Sequence, residues 1–536
     1  MRDTGVMKRM LIATIILVAA TIAVTVVYFK HINTASQHTS LAMRAIPDDA
    51  SMVLQFVNEK EFYDIFTGSA LFGDILGREK LNELQALKKD LLQNPLLSPH
   101  LAGQNIFVSL HPQKNNTIDF LLTATVSKEF QEDILEQLYK QRNNGLLIHT
   151  MDIDGKAGYV VYMSDIKRRF YLISKDGQTL SGSFSKDVIE DCAKYDYRRQ
   201  KQTFVLLSDQ QSSNSLANLY VNYQGLTPLA EQLFSVKNPD IFKSLRQYPA
   251  FGALSLNFKN NALIFNGSSQ PKSGDSGYLG LFAHQQPVTN HLKEIFPSTT
   301  AYGSSFGISD PNTFESDLAD WQEKSDFNKD RSTTLGKVKK ETGISVQKEF
   351  AKLIGNEFAV VTTHYHEKIG LVQVKDGTKM LALLTNISKM ISASTGQFNY
   401  EKLPQVLFGD AFSLFKRPFF RVIDNYLVMT TTESELNSFN DSYTNRKFLV
   451  KTDGFNNFNN LLAEQSNATF FIQFKNAIEL FRQVMKKSFN EDLRDNNPGW
   501  KNFYGASWQF TASDKSLYTN FCIGLKQDTV LQKDSL

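Results

Sequence analysis

Cysteine is almost absent: Cys192 and Cys522 are the two thiols in a chain of 536 residues. A disulfide framework is therefore excluded, and so is a zinc site built from four thiolates. One bridge between the two remains open, but two free, packed thiols is the plainer reading. Charge of one sign is also lacking. Against 58 Lys and Arg stand 55 Asp and Glu, a net +3, and no long basic run occurs. The electrostatic footprint of a nucleic-acid binder is thus missing. The sequence also has no GxSxG elbow, no GxxxxGK[ST] phosphate loop, no HExxH helix and no dinucleotide fingerprint.

Apolar residues, by contrast, are plentiful. They form 42% of the chain, with 41 Phe and 19 Tyr, enough for large cores and against disorder. At 100–200 residues per domain the length suggests about three or four units.

The first thirty residues carry the sharpest signal. Leu11 to Phe29 is an uncharged apolar run. As a helix rising about 1.5 Å per residue it would reach roughly 28 Å, near the thickness of a bilayer's hydrocarbon core. A cleaved signal peptide has a shorter apolar region and a small-residue cleavage site, whereas this run ends in Val26, Val27, Tyr28 and Phe29. We expect an uncleaved signal anchor that partners the lipid bilayer through Leu11 to Phe29. Arg2, Lys8 and Arg9 precede it, which favours N-in, C-out insertion. Residues 1–10 would be cytoplasmic and residues 30–45 a polar tether.

Beyond the tether one pattern recurs. A proline, a small polar turn and an alternating strand open both "AIPDDASMVLQF" and "IFPSTTAYGSSF", with Pro47 and Pro297 250 residues apart. Gly103 and Gly355 are 252 apart, Tyr223 and Phe474 251, and Gly252 and Gly505 253. Four anchors in one order, with nearly constant lag, predict a duplicated domain rather than a short solenoid repeat. Hairpin signals and amphipathic helices alternate within each half. The expected fold is α+β: a transmembrane helix, then two tandem, similar domains with largely antiparallel sheets and packed helices. The expected boundaries are 46–270 and 295–536, with 271–294 as linker and connecting helix. Residues 323–343 read as a mobile polar insertion with no counterpart in the first half.

Candidate chemistry is sparse. "GDSG", 274–277, echoes a serine-protease motif, but Ser276 lies in the expected linker without a neighbouring histidine motif. His364 and His366 would share a face if their strand continued, with His111 or His149 as a distant third ligand; two solvated histidines is the simpler reading. Ser345 to Lys348 and Lys451 to Gly454 are faint echoes of penicillin-binding motifs. Lys167 to Arg169 reads as a solvated basic turn. Asn115, Asn266, Asn386, Asn440 and Asn467 head N-x-S/T sequons, which matter only in a glycosylating host. No catalytic, cofactor-binding or metal residue is assigned, and no cofactor.

The stretch "IPDDASMVLQF", directly after an apolar anchor, resembles the start of a family of envelope proteins from Bacteroidetes whose activity is uncharacterised. The second copy, "FPSTTAYGSSF", departs from it by lacking the Asp-Asp pair. The resemblance implies an inner-membrane anchor, a periplasmic α+β body and no inherited catalytic residue. The function expected is a membrane-tethered, extracytoplasmic binding or scaffolding protein of the bacterial cell envelope, with an envelope protein or glycan as partner and no nucleic acid. The alternative is an envelope hydrolase acting on glycan or peptide through dispersed carboxylates such as Asp48/Asp49 or Glu315/Asp317.

Overall fold

The computed structural model describes residues 41–526, apart from 69, 114–116, 129, 132, 141–146, 176, 197–214, 236–249, 260, 271–276, 496–498 and 514–515. The expected cytoplasmic segment 1–10, the span Leu11 to Phe29 and most of the tether lie outside these residues. No helix among the described residues is long and apolar enough to cross a membrane.

Short runs rich in Val, Ile, Phe, Tyr and Thr, broken by polar turns, form twenty strands of one antiparallel sheet. Ten come from the first half: β1 Met52–Val57, β2 Asn105–Pro112, β3 Ile118–Thr125, β4 Leu147–Ile153, β5 Lys156–Met163, β6 Arg168–Lys175, β7 Thr179–Ser183, β8 Ala217–Asn222, β9 Phe251–Lys259 and β10 Ala262–Gln270. Ten come from the second: β11 Thr300–Gly307, β12 Ile354–Thr363, β13 Lys368–Val374, β14 Ser388–Met390, β15 Thr395–Phe398, β16 Phe419–Ile423, β17 Tyr426–Thr430, β18 Ala468–Gln473, β19 Phe503–Ser513 and β20 Ser516–Leu525.

The strands of the first half lie in the order 4-5-6-7-3-2-1-8-9-10. Those of the second lie in the order 14-15-16-17-13-12-11-18-19-20. Each strand in one half has the same neighbours as the strand ten places later. The final strands join the halves: β10 pairs antiparallel with β20, and Asn266 lies directly opposite Asn520. The fourth anchor shifts slightly in three dimensions. Tyr220 faces Ala253 and Phe471 faces Ser507, so Gly252 corresponds to Ala506 rather than to Gly505.

Alternating side chains send each strand's residues to opposite faces. One face carries the main core beneath α1 Lys60–Gly68, α2 Arg78–Leu87, α3 Asp133–Lys140, α5 Leu226–Leu233, α6 Pro311–Glu323, α7 Asn328–Thr342, α8 Val346–Leu353, α9 Gly377–Ile387 and α12 Phe474–Val484. The other carries smaller cores under α4 Lys186–Lys194, α10 Glu433–Thr444 and α11 Asp453–Asn459. On that second face a lead-in segment also covers each half. Ala42, Met43 and Ile46 pack on Val53, Phe107 and Tyr220, and Leu292, Ile295 and Phe296 belong to the core around Ala359 and Phe471.

Three expectations are corrected. The body begins before residue 46, because residues 41–45 are helical and Ala42, Met43 and Ala45 are buried. The expected linker 271–294 is packed from Tyr278 onward. Tyr278, Leu279, Leu281 and Phe282 form a buried 3-10 turn rather than a connecting helix, and the Tyr278 ring meets Phe306 and Trp321 edge-on. The supposed insertion 323–343 is mostly the fifteen-residue helix α7, closed by Gly343 at φ 73, the left-handed cap that glycine favours. A helix also stands at the matching sequence lag in the first half: α2 starts at residue 78, which is 328 − 250. Because α7 is polar nearly all round and only Val338 is buried, its sequence looks like a loop.

Candidate functional site

The arrangement closest to a catalytic device lies on β2, whose alternate residues Phe107, Ser109 and His111 share a face. Ser109 Oγ is 2.8 Å from His111 Nε2, and His111 Nδ1 is 2.9 Å from Asp49 Oδ1. With the ring proton on Nδ1 donated to the carboxylate, Nε2 accepts from the serine hydroxyl. That is the serine–histidine–aspartate order of nucleophilic hydrolases. Ser109 and His111 are buried at 0% and 1% exposure, so no substrate carbonyl reaches the hydroxyl. β2 is paired on both sides, to β1 and β3, so its own N–H groups are committed to ladders and supply no free pair of oxyanion donors.

The surrounding bonds show what the relay does. Tyr195 donates to Asp48 Oδ1 at 2.8 Å, and Cys192 Sγ donates to the Ala45 carbonyl at 3.4 Å. Lys175 Nζ donates to the Cys192 and Tyr195 carbonyls at the end of α4, where a cation also suits the helix dipole. Residues 45–49 are thereby fastened to α4 and β2 together. Burial pushes the Asp48 carboxyl above its ordinary range, against the Tyr195 hydrogen bond that lowers it. The second half has no such relay: by strand register Val361 stands in the place of Ser109 and Thr363 in that of His111.

The other candidates do not converge. β12 ends at Thr363, so His364 and His366 fall in the turn and not on a shared strand face. His366 adopts φ 67 and His364 lies against the Tyr365 ring. His149 is on the outermost strand β4 and His111 is engaged with Asp49. Among the described residues no three His, Cys, Asp or Glu side chains gather as a metal site. Ser345 and Lys348 belong to α8 on the main-core face, whereas Lys451 and Gly454 lie at α11 on the opposite face; the sheet separates them. Ser276 lies outside the described residues.

Glu315 and Asp317 are two residues apart on α6 and so point different ways. Asp317 meets His284 Nδ1 at 3.1 Å. Glu315 lines a small cavity with Phe314, Leu318, Gln322 and Phe350, with about 20 Å³ of room, enough for one water. The basic turn is a correction in part. Lys167 turns with φ 54, but Arg168 pairs with buried Glu83 and lies over the Phe184 ring at 4.8 Å. Cys192 and Cys522 are both free and buried. Burial pushes the Cys522 thiol up to about 12, which makes it unreactive.

One feature that sequence reading missed lies at the joint between the halves. On the face opposite the main core a single rung of directly opposed residues crosses eight strands: Gln55, Asn218, Ser255, Asn266, Asn520, Gln509, Thr469 and Ser305. Every one is polar and none is charged. Each residue of the first four matches one of the last four by register, so the rung is symmetric about Asn266 and Asn520. At its flanks the amides are satisfied internally. Gln55 bonds Asn105 and accepts from Tyr220, and Gln509 exchanges hydrogen bonds with the Ala463 backbone. At the centre Asn520 donates to Gln509, but its buried Oδ1 has no partner.

No protein-family model matches the chain, and no curated protein matches it in sequence. Among solved structures, crystal form III of TP0453 aligns with 46% of this chain and 89% of its own, at 11% identity and a TM-score of 0.23. That score is too low to carry an argument about fold or function.

Proposed function

We propose that this chain is a single-pass, membrane-tethered binding or scaffolding protein of the bacterial cell envelope. It is anchored N-in through Leu11 to Phe29 and carries its body outside the cytoplasm as two tandem copies of one α+β unit. The observation that carries the binding reading is the continuous twenty-stranded sheet, in which two halves of identical strand order meet at β10 and β20 and present one uncharged polar rung across the joint. A platform of this kind suits recognition of a partner laid across it. The apolar run in the sequence supports the anchor, and the repeated strand order supports duplication.

Protease added to intact spheroplasts tests the placement. The body should be digested there, leaving a short membrane-protected fragment. Protection in spheroplasts together with digestion after lysis would overturn it.

An envelope hydrolase is the second reading; the Ser109–His111–Asp49 relay has the side-chain order of one, but is buried. A fluorophosphonate probe that labelled Ser109 would support it.

A further inference from the structure

We infer that the crevice between α6 and α8 is a binding site for a small zwitterion, an α-amino acid whose side chain is no bigger than a methyl group. This rests on the reading of the protein as an envelope binding module and adds a small ligand to it.

The crevice lies on the main-core face of the second half. The chain enters the body at Ala42 on the opposite face, and residues 300–487 are described without a gap. Its walls come from α6, α8 and the short helix Leu403–Phe408. Phe314, Leu318, Phe350 and Val406 make the interior apolar. The room inside, about 20 Å³, takes one methyl-sized group and nothing larger.

Polar side chains line the same space. Gln322 is committed, since its amide donates to the Gln405 and Val406 carbonyls. Arg331 is not. It is only 12% exposed, yet its one ion pair is a 3.5 Å contact of Nη1 with Glu323, itself 59% exposed. A pair that long and that solvated uses little of a guanidinium's five-donor capacity. Nε and Nη2 make no hydrogen bond among the described residues, and neither is sealed from solvent. A fork so placed fits a planar carboxylate.

Arg331 alone would also accept phosphate or sulfate, and Glu315 decides between them. Its carboxylate is half-buried in the same crevice and makes no ion pair or hydrogen bond among the described residues. It repels a dianion and calls for an ammonium group. Gln347, also half-buried there, adds an uncharged donor and acceptor. One cation, one anion and a methyl-sized apolar hole complement the carboxylate, ammonium and side chain carried by a single α-carbon. The volume excludes larger side chains.

The test is isothermal titration of the full chain, in non-ionic detergent, with each enantiomer of alanine. Saturable binding of at least one is expected. Leucine, which keeps both charges and enlarges the side chain, should bind at least about tenfold more weakly. Arg331→Gln and Glu315→Gln should each weaken alanine about tenfold or more. Propionate, which has the carboxylate but no ammonium, should instead prefer the Glu315→Gln variant to wild type, a reversal that a merely misfolded variant does not produce. Lys340→Gln, at an exposed position on α7, should leave affinity unchanged. No heat at tens of millimolar alanine, leucine bound as tightly as alanine, or propionate failing to prefer Glu315→Gln would overturn the assignment. Spheroplast shaving reads the cellular placement separately, so an amino acid that fails to bind removes this inference and leaves the anchor and body where that experiment puts them.

Discussion

At the scale of single residues, the question is whether three side chains in catalytic order do chemistry or hold structure. Ser109, His111 and Asp49 satisfy the distances, but the first two are sealed from solvent, and the relay ties the lead-in segment to β2. We predict that Ser109→Ala costs about 1 kcal/mol of stability, the net worth of one hydrogen bond. Asp49→Ala should cost about 1–3 kcal/mol, because it strands the buried His111 Nδ1. Urea unfolding measures both, and mass spectrometry after fluorophosphonate treatment should find Ser109 unmodified; modification would return the hydrolase reading. The sequence contained every member. Ser109 falls on a strand predicted over 106–110, Asp49 is one of the carboxylates singled out, and His111 reads as the first residue of the following hairpin loop, whereas the strand runs on to Pro112. What it could not supply was the pairing of β1 with β2, which brings residues 62 apart in sequence together.

At the scale of elements, the two lead-in segments solve one problem with different residues. The first is held by Asp48 and Asp49. The second is a 3-10 turn, Leu292–Ile295, whose free N–H groups meet Glu357: the His291 and Leu292 amides donate to its carboxylate at 2.8–3.0 Å. Burial pushes the Glu357 carboxyl above its ordinary value, and those same amides oppose the shift. The folded protein therefore keeps this proton to higher pH than the unfolded chain does. Between pH 4.5 and the raised folded value the native state binds more protons, so stability from this group falls as pH rises through that window and levels off above it. Glu357→Gln should flatten this part of the profile in urea titrations; an unchanged or steeper slope would count against it. Strands and hairpins at this scale were legible, because alternation and turn residues are local. Helix α7 was not, since one buried valine in fifteen residues leaves no apolar stripe to read. The turn at Tyr278 was hidden for a related reason: its glycine- and serine-rich flank masked a core aromatic.

At the scale of the whole molecule, the matched lags suggested two similar halves but not how they meet. A linker reading implies two bodies joined loosely; the strands form one sheet through β10 and β20. No local pattern in "ALIFNGSSQ" or "SLYTNFCIGL" marks the partner as the other half's last strand, because an antiparallel ladder is the same whichever chain segment supplies it. Register is testable directly. Ser268 and Tyr518 are opposed, so the double variant Ser268→Cys, Tyr518→Cys should form a disulfide on mild oxidation, given Cα separations of about 4.5–5.5 Å in such pairs. Peptide mapping would find the two segments linked, and failure to link under oxidation would sink the register. A continuous sheet also predicts that the halves unfold in one calorimetric transition rather than two.

The same joint sets a schedule for the ribosome. β10 ends at residue 270 and its partner β20 at residue 525, so 255 further residues, 525 − 270, must be synthesised before that edge is closed. At about 5–20 residues per second the nascent first half waits roughly 13–50 seconds with an uncapped strand, and for an exported chain part of that wait falls during translocation. A bare edge held that long invites mispairing with neighbouring chains, so a holding chaperone acting until synthesis ends is a natural requirement of a sheet whose two central strands are the last made in each half.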